Sequence, residues 1–370
     1  MPTQLYILLH QVSFLISGLF QTLCSQWLYY HNATSARAYT TNAAQYFGSF
    51  CVAFLLPWLL DDKTKSSSGT DRRLSTSEQA MIAMELPKRD QDNANQKNEV
   101  EEDKLVKKNH KGSLFSRLPF PFGTYRNPAM SVYDIPILKI TLLDLFANFF
   151  LTIGLFYIGS GMYQVIYSSV VVWCALLSTF VGRRLNIIQW LAIIGLSSGL
   201  AVTAFEQEGG TAANNSLIGM VITLSATVGY ACVYVLSDLL LSGKNTPPHP
   251  AYFCYRSGMY ASALCAGYLL FYTVPNYSTL LHPTASWERI ALAHGLLCIS
   301  ALAHNLNFFA LIQHTGSVST GVLQGMRALL VFGLSHVLFC EQDSAQCFGP
   351  WKAWGSLIVA ASVFIFNAFR

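Results

Sequence analysis

The sequence predicts an all-α polytopic membrane protein of ten transmembrane helices, arranged as two inverted five-helix repeats. Ten separate apolar stretches carry the first part of that prediction. Each approaches the roughly 20 residues a helix needs to cross a bilayer core. Composition agrees: the chain is 52% hydrophobic and 11% charged, where a soluble domain carries about 25% charged residues. A correspondence between the two halves, at an offset of 157 residues, carries the second part.

The stretches fall at residues 4–24, 43–60, 137–158, 162–181, 188–205, 216–241, 252–274, 290–312, 317–339 and 351–369. The first lacks a positively charged leader and is long enough to span, so it reads as a signal anchor. Short joints set neighbouring helices antiparallel and side by side. The exception is the charged segment 61–136. The chain thus divides into helices one and two (1–60), a cytoplasmic loop (61–136), helices three to five (137–205), and helices six to ten (216–370), which form the second repeat. The loop holds 13 of the 23 Lys and Arg. Its first fifty residues are almost free of aromatics and cannot bury enough apolar surface to fold. Within it, residues 81–86 form an apolar patch suited to an amphipathic turn. Arg72-Arg73-Leu74-Ser75 reads either as a basophilic-kinase site or as an unmodified basic stretch.

Basic residues set orientation. Those in the long loop, with Arg183, Arg184 and Lys244, place both termini and the loop in the cytoplasm. Arg37, Arg289 and Lys352 then lie outside. The three N-x-[ST] sequons, at Asn32, Asn214 and Asn276, also fall outside, as glycosylation requires. Cys340 and Cys347 flank a short outer loop on the oxidising side of a secretory membrane. The expectation there is a disulfide, with two free thiols as the alternative. No His/Cys spacing of a metal site appears, and no cofactor is expected. The net charge of +4 is no nucleic-acid signal, because the loop's 12 acidic residues nearly cancel its basic ones. The expected partners are the lipid bilayer and a small-molecule solute, and a homodimer stays open. An endomembrane compartment (Golgi, ER or endolysosomal) is the expected location, with the plasma membrane as the alternative.

The internal match is thin but ordered. Leu145, Asn148, Gly159-Ser160 and Leu177-Ser178 correspond to Leu302, Asn305, Gly316-Ser317 and Leu334-Ser335. Each half ends in a helix led by a tryptophan, Trp190 or Trp351. Five helices per half is an odd number, so the second half must be inverted in the membrane, as in many secondary transporters.

Leu143-Asp144-Leu145-Phe146-Ala147-Asn148 with the Gly159-Ser160 joint resembles the third-helix motif of the drug/metabolite transporter superfamily. Gly182-Arg183-Arg184-Leu185, followed by Gln189-Trp190-Leu191 and Gly195, resembles its joint between helices four and five. The flavour is that of solute carrier family 35, especially its orphan F subgroup. Cys340-Glu341-Gln342-Asp343 departs from the basic joint expected in the second half, and the long loop is also unusual. The resemblance implies a central cavity lined by both halves and alternating access.

Polar groups inside a bilayer are costly, about 2.5–3.5 kcal/mol for a central Asp, Lys or Arg. Arg327 is the deepest basic residue. It reads as a receptor for an anionic group, with Gly321 and Gly325 leaving room for the ligand, or as half of an ion pair with Asp144. Asp144 reads as a coupling or gating carboxylate, or as a partner of Lys139. Arg256 and Asp238 are expected to pair as a cytoplasmic gate. Asn148, Asn305 and His304 sit at comparable depths and are candidate cavity residues, or interhelical hydrogen-bonding groups. Tyr167 and Ser168 are candidate solute contacts. The resulting expectation is a transporter of a small organic solute, on balance anionic or nucleotide-like, and not an enzyme: Gly159-Ser160-Gly161 is a nucleophile-like trace without a His partner. The alternative is a receptor or scaffold acting through its cytoplasmic loop.

Overall fold

The structure, a computed structural model, describes residues 2–59, 133–204, 213–243, 247–341 and 347–369. Helix is the only regular secondary structure among them. The main elements are α1 (Pro2–Tyr30), α2 (Thr40–Phe50), α3 (Asp134–Ser168), α4 (Val170–Phe180), α5 (Ile187–Ala204), α6 (Ala213–Leu241), α7 (Pro250–Tyr268), α8 (Trp287–Thr315), α9 (Ser317–Phe339) and α10 (Pro350–Ala368). A 3₁₀ turn (Cys51–Phe54) extends α2 and a π-helical turn (Leu269–Thr273) extends α7. One compact unit comprises residues 1–52 and 133–370. The other is 53–132, of which only 53–59 are described. The kinase-like stretch, the patch at 81–86 and most of the long loop therefore lie outside the described residues.

Among the described residues, six helical segments are long and apolar enough to cross a membrane: Gln4–Tyr30, Asp134–Gly154, Leu217–Leu241, Trp287–Thr315, Ser317–Phe339 and Pro350–Ala368. Ile166–Phe180 and Ile187–Val202 are shorter apolar helices. α2 and α7 fall outside both groups because polar residues run along them: Thr41, Asn42, Gln45 and Ser49 on α2, and Tyr255, Arg256 and Tyr260 on α7. The outward faces of the long helices are apolar. On α1, Leu5, Leu9, Val12, Ile16 and Phe20 recur at helical spacing and are all exposed; on α10 Trp351, Trp354, Leu357 and Phe364 do the same. Bands of this size suit lipid, not water. The protein is membrane-embedded.

The joint expected at Gly159-Ser160 is not a break. α3 continues to Ser168 and the chain turns at Ser169. Its counterpart does break: Gly316, at φ 84°, ψ 166°, separates α8 from α9. That backbone region is open essentially to glycine alone.

The main packing pairs are α3 with α6, α8 with α1, α5 with α10, α2 with α7, α2 with α8, α7 with α3, α4 with α6, α9 with α1, and α4 with α9. Exchanging each helix for the one five places along maps these pairs onto one another, but not the α7–α8 pair, which is as extensive as α4–α9 and whose counterpart α2–α3 is nearly without contact. Backbones approach closely where small residues allow. α2 is wedged between two neighbours: a Cβ on Gly258 of α7 would lie 2.4 Å from the Phe50 nitrogen, and one on Gly48 would lie 2.2 Å from the Cys298 carbonyl oxygen of α8. The pair Gly195 and Gly199 seats α5 on Ser362 and Gly355 of α10. Gly321 and Gly325 are filled against Val171 and Leu196, so the room expected there for a ligand is taken by packing.

Candidate functional site

A cavity of about 300 Å³ lies within the first unit and is lined by α1, α2, α3, α6, α7, α8 and α9 together with Tyr167. Its walls are unusually polar for a bundle whose outside is apolar. α1 contributes Gln21, Thr22, Ser25 and Tyr29. α2 contributes Thr41, Asn42, Gln45, Tyr46 and Ser49. Both sets recur every three to four residues, so each forms one helix face.

One wall is built on Asp144. The Tyr46 hydroxyl donates to its Oδ2 at 2.8 Å, and Asn148 Nδ2 donates to its Oδ1 at 3.1 Å. Asn148 Nδ2 also lies 3.0 Å from the Tyr46 oxygen, which closes the triangle. Asp144 and Asn148 are one helical turn apart on α3, and Tyr46 reaches them from α2. No ion pair joins Asp144 to Arg327, and Lys139 is exposed and does not pair with it either. The expected pairings fail because hydroxyl and amide donors already occupy both carboxylate oxygens.

The other wall is built on Arg327. Its Nη2 donates to Thr22 Oγ1 at 2.5 Å, and its Nη1 lies 3.5 Å from His304 Nε2. Thr22 passes its own proton to the Gly18 carbonyl at 3.0 Å, so its lone pair is free for the guanidinium. His304 is buried beneath Phe14, whose ring stacks on it at 4.3 Å. Its Nδ1 lies 3.1 Å from the Phe14 carbonyl oxygen. A carbonyl only accepts, so the ring proton sits on Nδ1 and the Nε2 lone pair faces Arg327. A Cβ on Gly18 would lie 2.9 Å from Arg327 Cδ, Arg327 Nε and His304 Cε1. That glycine is the notch in α1 that admits both side chains.

Between these walls Asn305 donates to Ser49 Oγ at 2.6 Å, and Gln324 Nε2 donates to the Tyr167 hydroxyl at 3.5 Å. The Gln324 Oε1 is buried with no hydrogen-bond partner among the described residues. A buried acceptor of this kind calls for a donor from elsewhere.

Arg327, Asn148, Asn305, His304, Tyr167 and Asp144 thus share one cavity. Ser168 does not line it. It is the last residue of α3, buried just before the turn. Arg256 and Asp238 do not pair with each other, because each has a nearer partner. Arg256 forks onto Asp134 of α3, with Nε to Oδ1 at 2.8 Å and Nη2 to Oδ2 at 2.5 Å, and Tyr252 donates to the same carboxylate. Asp238 receives Arg183 Nη2 at 2.7 Å, the Ser242 hydroxyl at 3.0 Å and the Ser317 backbone N–H at 2.8 Å. It therefore caps α9 and ties the α4–α5 joint to the α8–α9 break.

Cys340 and Cys347 are joined by a disulfide, with Cα atoms 4.6 Å apart. His336 lies close to both sulfurs, within 4.8 Å by its ligand nitrogen. Sulfurs bonded to each other are poor metal ligands, and His336 Nδ1 already accepts the Phe348 N–H at 3.1 Å. Asn32 and Asn276 lie in joints next to one another, since His282 N–H donates to the Asn32 carbonyl at 3.2 Å and Asn276 is exposed nearby. The Asn214 side chain is outside the described residues.

Sequence reasoning missed Gly18, Thr22, Tyr46 and Gln324. The polar stripe of α2, at Thr41, Asn42, Gln45, Tyr46 and Ser49, was a usable signal.

No family model matches the chain. A protein of Schizosaccharomyces pombe, itself uncharacterized, is 22% identical over 108 residues, which is 29% of this chain and 33% of that protein. The match thus spans about a third of that relative's length. A solved crystal structure covers 98% of this chain and 96% of its own, at a TM-score of 0.58 and 14% identity. The likeness is one of fold.

Proposed function

We propose that the protein is a transporter that moves a small organic, anionic solute across its membrane by alternating access. The observation that carries this reading is the polar cavity inside an apolar bundle, with a guanidinium on one wall and an unsatisfied Gln324 oxygen beside it. Buried polar groups are retained in membranes chiefly where they bind, conduct or couple. A guanidinium suits a carboxylate or phosphate through its planar fork.

The inverted-repeat arrangement of ten spans belongs to the same proposal, and two features support it. Most of the main helix pairs exchange among themselves under a five-helix shift, α7 with α8 excepted. Tyr167 and Gln324, which hydrogen-bond to each other, are separated by the same offset of 157 residues that relates the two halves in sequence. Contact between repeat-equivalent residues is expected only near a pseudo-twofold axis. Against it stands the unbroken 35-residue α3, which runs on through the expected joint between the third and fourth crossings. The likeness to solute carrier family 35 is part of the proposal, as is a cytoplasmic N-terminus.

The test begins with thermal-shift screening of purified protein against nucleotides, nucleotide sugars, amino acids and organic acids. Uptake of each stabilising compound into proteoliposomes follows. Arg327→Lys should slow uptake and Arg327→Gln should abolish it while melting near the wild type. Wild-type uptake by Arg327→Gln would end the anion reading.

A further inference from the structure

We infer that Arg327 and His304 form one binding unit that takes up an anionic group together with a proton. This inference rests on the transport reading and adds the coupling ion. Two side chains from α9 and α8 enter the notch at Gly18, and His304 turns an unprotonated nitrogen towards the guanidinium 3.5 Å away. With the site empty, a proton on that nitrogen would set two cations side by side in a poorly solvated place, so the imidazole stays neutral. An anion on the guanidinium cancels that repulsion. His304 Nε2 then accepts a proton delivered by cavity water, while Nδ1 keeps its hydrogen bond to the Phe14 carbonyl. The only covalent changes are the N–H gained by Nε2 and the O–H lost by the hydronium that delivers the proton from the buffer, which is left as water. Linkage is reciprocal: if the anion favours the proton, the proton tightens the anion by the same factor.

The other titratable groups facing this unit are few. Asp144 is the competing proton acceptor in the cavity; Tyr46 and Asn148 donate to its two oxygens, and the Asp144→Asn arm of the test separates it from His304. Tyr29, Tyr46, Tyr167, Tyr230, Tyr234 and Cys254 also line the cavity. His10 of α1 is bonded to Asn307, one turn from His304 on α8, and stands outside the cavity lining.

The test uses the full chain in lipid nanodiscs and titration calorimetry in buffers of different ionisation enthalpy. The probes are sulfate, benzoate and benzenesulfonate. None of them titrates near neutrality, so any proton taken up goes to the protein. The wild type should bind at least one of them, more tightly by up to about tenfold for each unit by which pH falls through neutrality, and should draw protons from the buffer. Arg327→Gln should lose binding. His304→Gln should bind without proton uptake and with equal affinity at about pH 6 and about pH 8. Gly18→Ala, which thrusts a methyl group at both side chains, should weaken binding and uptake together. Melting curves of each variant separate misfolding from loss of the site. Binding by the wild type without proton uptake, uptake that survives His304→Gln, or uptake that vanishes in Asp144→Asn but not in His304→Gln overturns the inference and leaves the transport reading standing. Failure of all three anions to bind, or full binding by Arg327→Gln, overturns the inference and the anion reading together.

Discussion

At Gly316 a single residue does what no other could. Its φ of 84° and ψ of 166° lie where side chains are essentially excluded, and a Cβ there would meet Arg183 Nη1 at 2.7 Å. Gly316→Ala should therefore destabilise the fold by about 1–3 kcal/mol from the backbone alone. A fall in melting temperature in detergent would show it, and an unchanged melting curve would count against the strained turn. The Asp238 carboxylate beside it is 2% exposed and holds a guanidinium, a hydroxyl and the Ser317 N–H. Asp238→Asn keeps one acceptor but drops the charge, and hydrogen bonds to charged groups are worth about 1.5–3 kcal/mol. Its melting temperature should fall, and adding Arg183→Gln should cost less than the two single losses combined, because the pair shares one interaction. Arg327 was legible in the sequence because charge inside a membrane is conspicuous by its expense. The partner of Asp238 was not. Hydropathy gives depth along a helix, but the azimuth that turns Asp238 to Arg183 and Arg256 to Asp134 is set by packing.

Among elements, α2 shows where a pattern misleads. Read as an apolar span over 43–60, it hid a stripe of amides and hydroxyls that forms one cavity wall. A window average dilutes a polar face, whereas the helical period preserves it. The joint at Gly159-Ser160 misled in the opposite way. Its match to Gly316-Ser317 suggested a break, but glycine only permits a turn, and α3 runs through. The short link between α9 and α10 was legible because two cysteines flanking one short loop are placed to bond. The Cys340–Cys347 bond closes a small loop, and such a closure is worth about 2–3 kcal/mol in the chain-entropy account. Cys340→Ser should lower the melting temperature by a few degrees. Reductant should do the same to the wild type and nothing further to the variant. Peptide mapping without reduction should show the link directly.

For the whole molecule, the proposed topology places Ser68 and Ser278 on opposite sides of the membrane. The free cysteines are all buried or half-buried, so they should label slowly. In sealed vesicles an impermeant maleimide should reach Ser68→Cys from one side and Ser278→Cys from the other. Labelling of both from one side would dismantle the inverted arrangement. The class of the molecule was legible because lipid imposes its pattern on every outward residue. The cavity's specificity was not, because it depends on which faces meet. In this topology both charged clamps, Arg256 on Asp134 and Arg183 on Asp238, lie at the cytoplasmic end. At the opposite end neutral hydrogen bonds run to backbone carbonyls, from Tyr268 to Arg37, Thr273 to Ala38 and His282 to Asn32, beside the Cys340–Cys347 disulfide and the Lys352 ammonium on the Cys347 carbonyl. The two ends should therefore answer differently to their surroundings. Salt screens part-exposed charged contacts such as Arg256–Asp134, the buried Asp238 carboxylate much less, and neutral contacts hardly at all. On the alternating-access proposal, raising ionic strength on the cytoplasmic side should loosen the Arg256–Asp134 clamp first and favour the inward-open form. A cell that changes the salt around this protein would then be adjusting which way it faces.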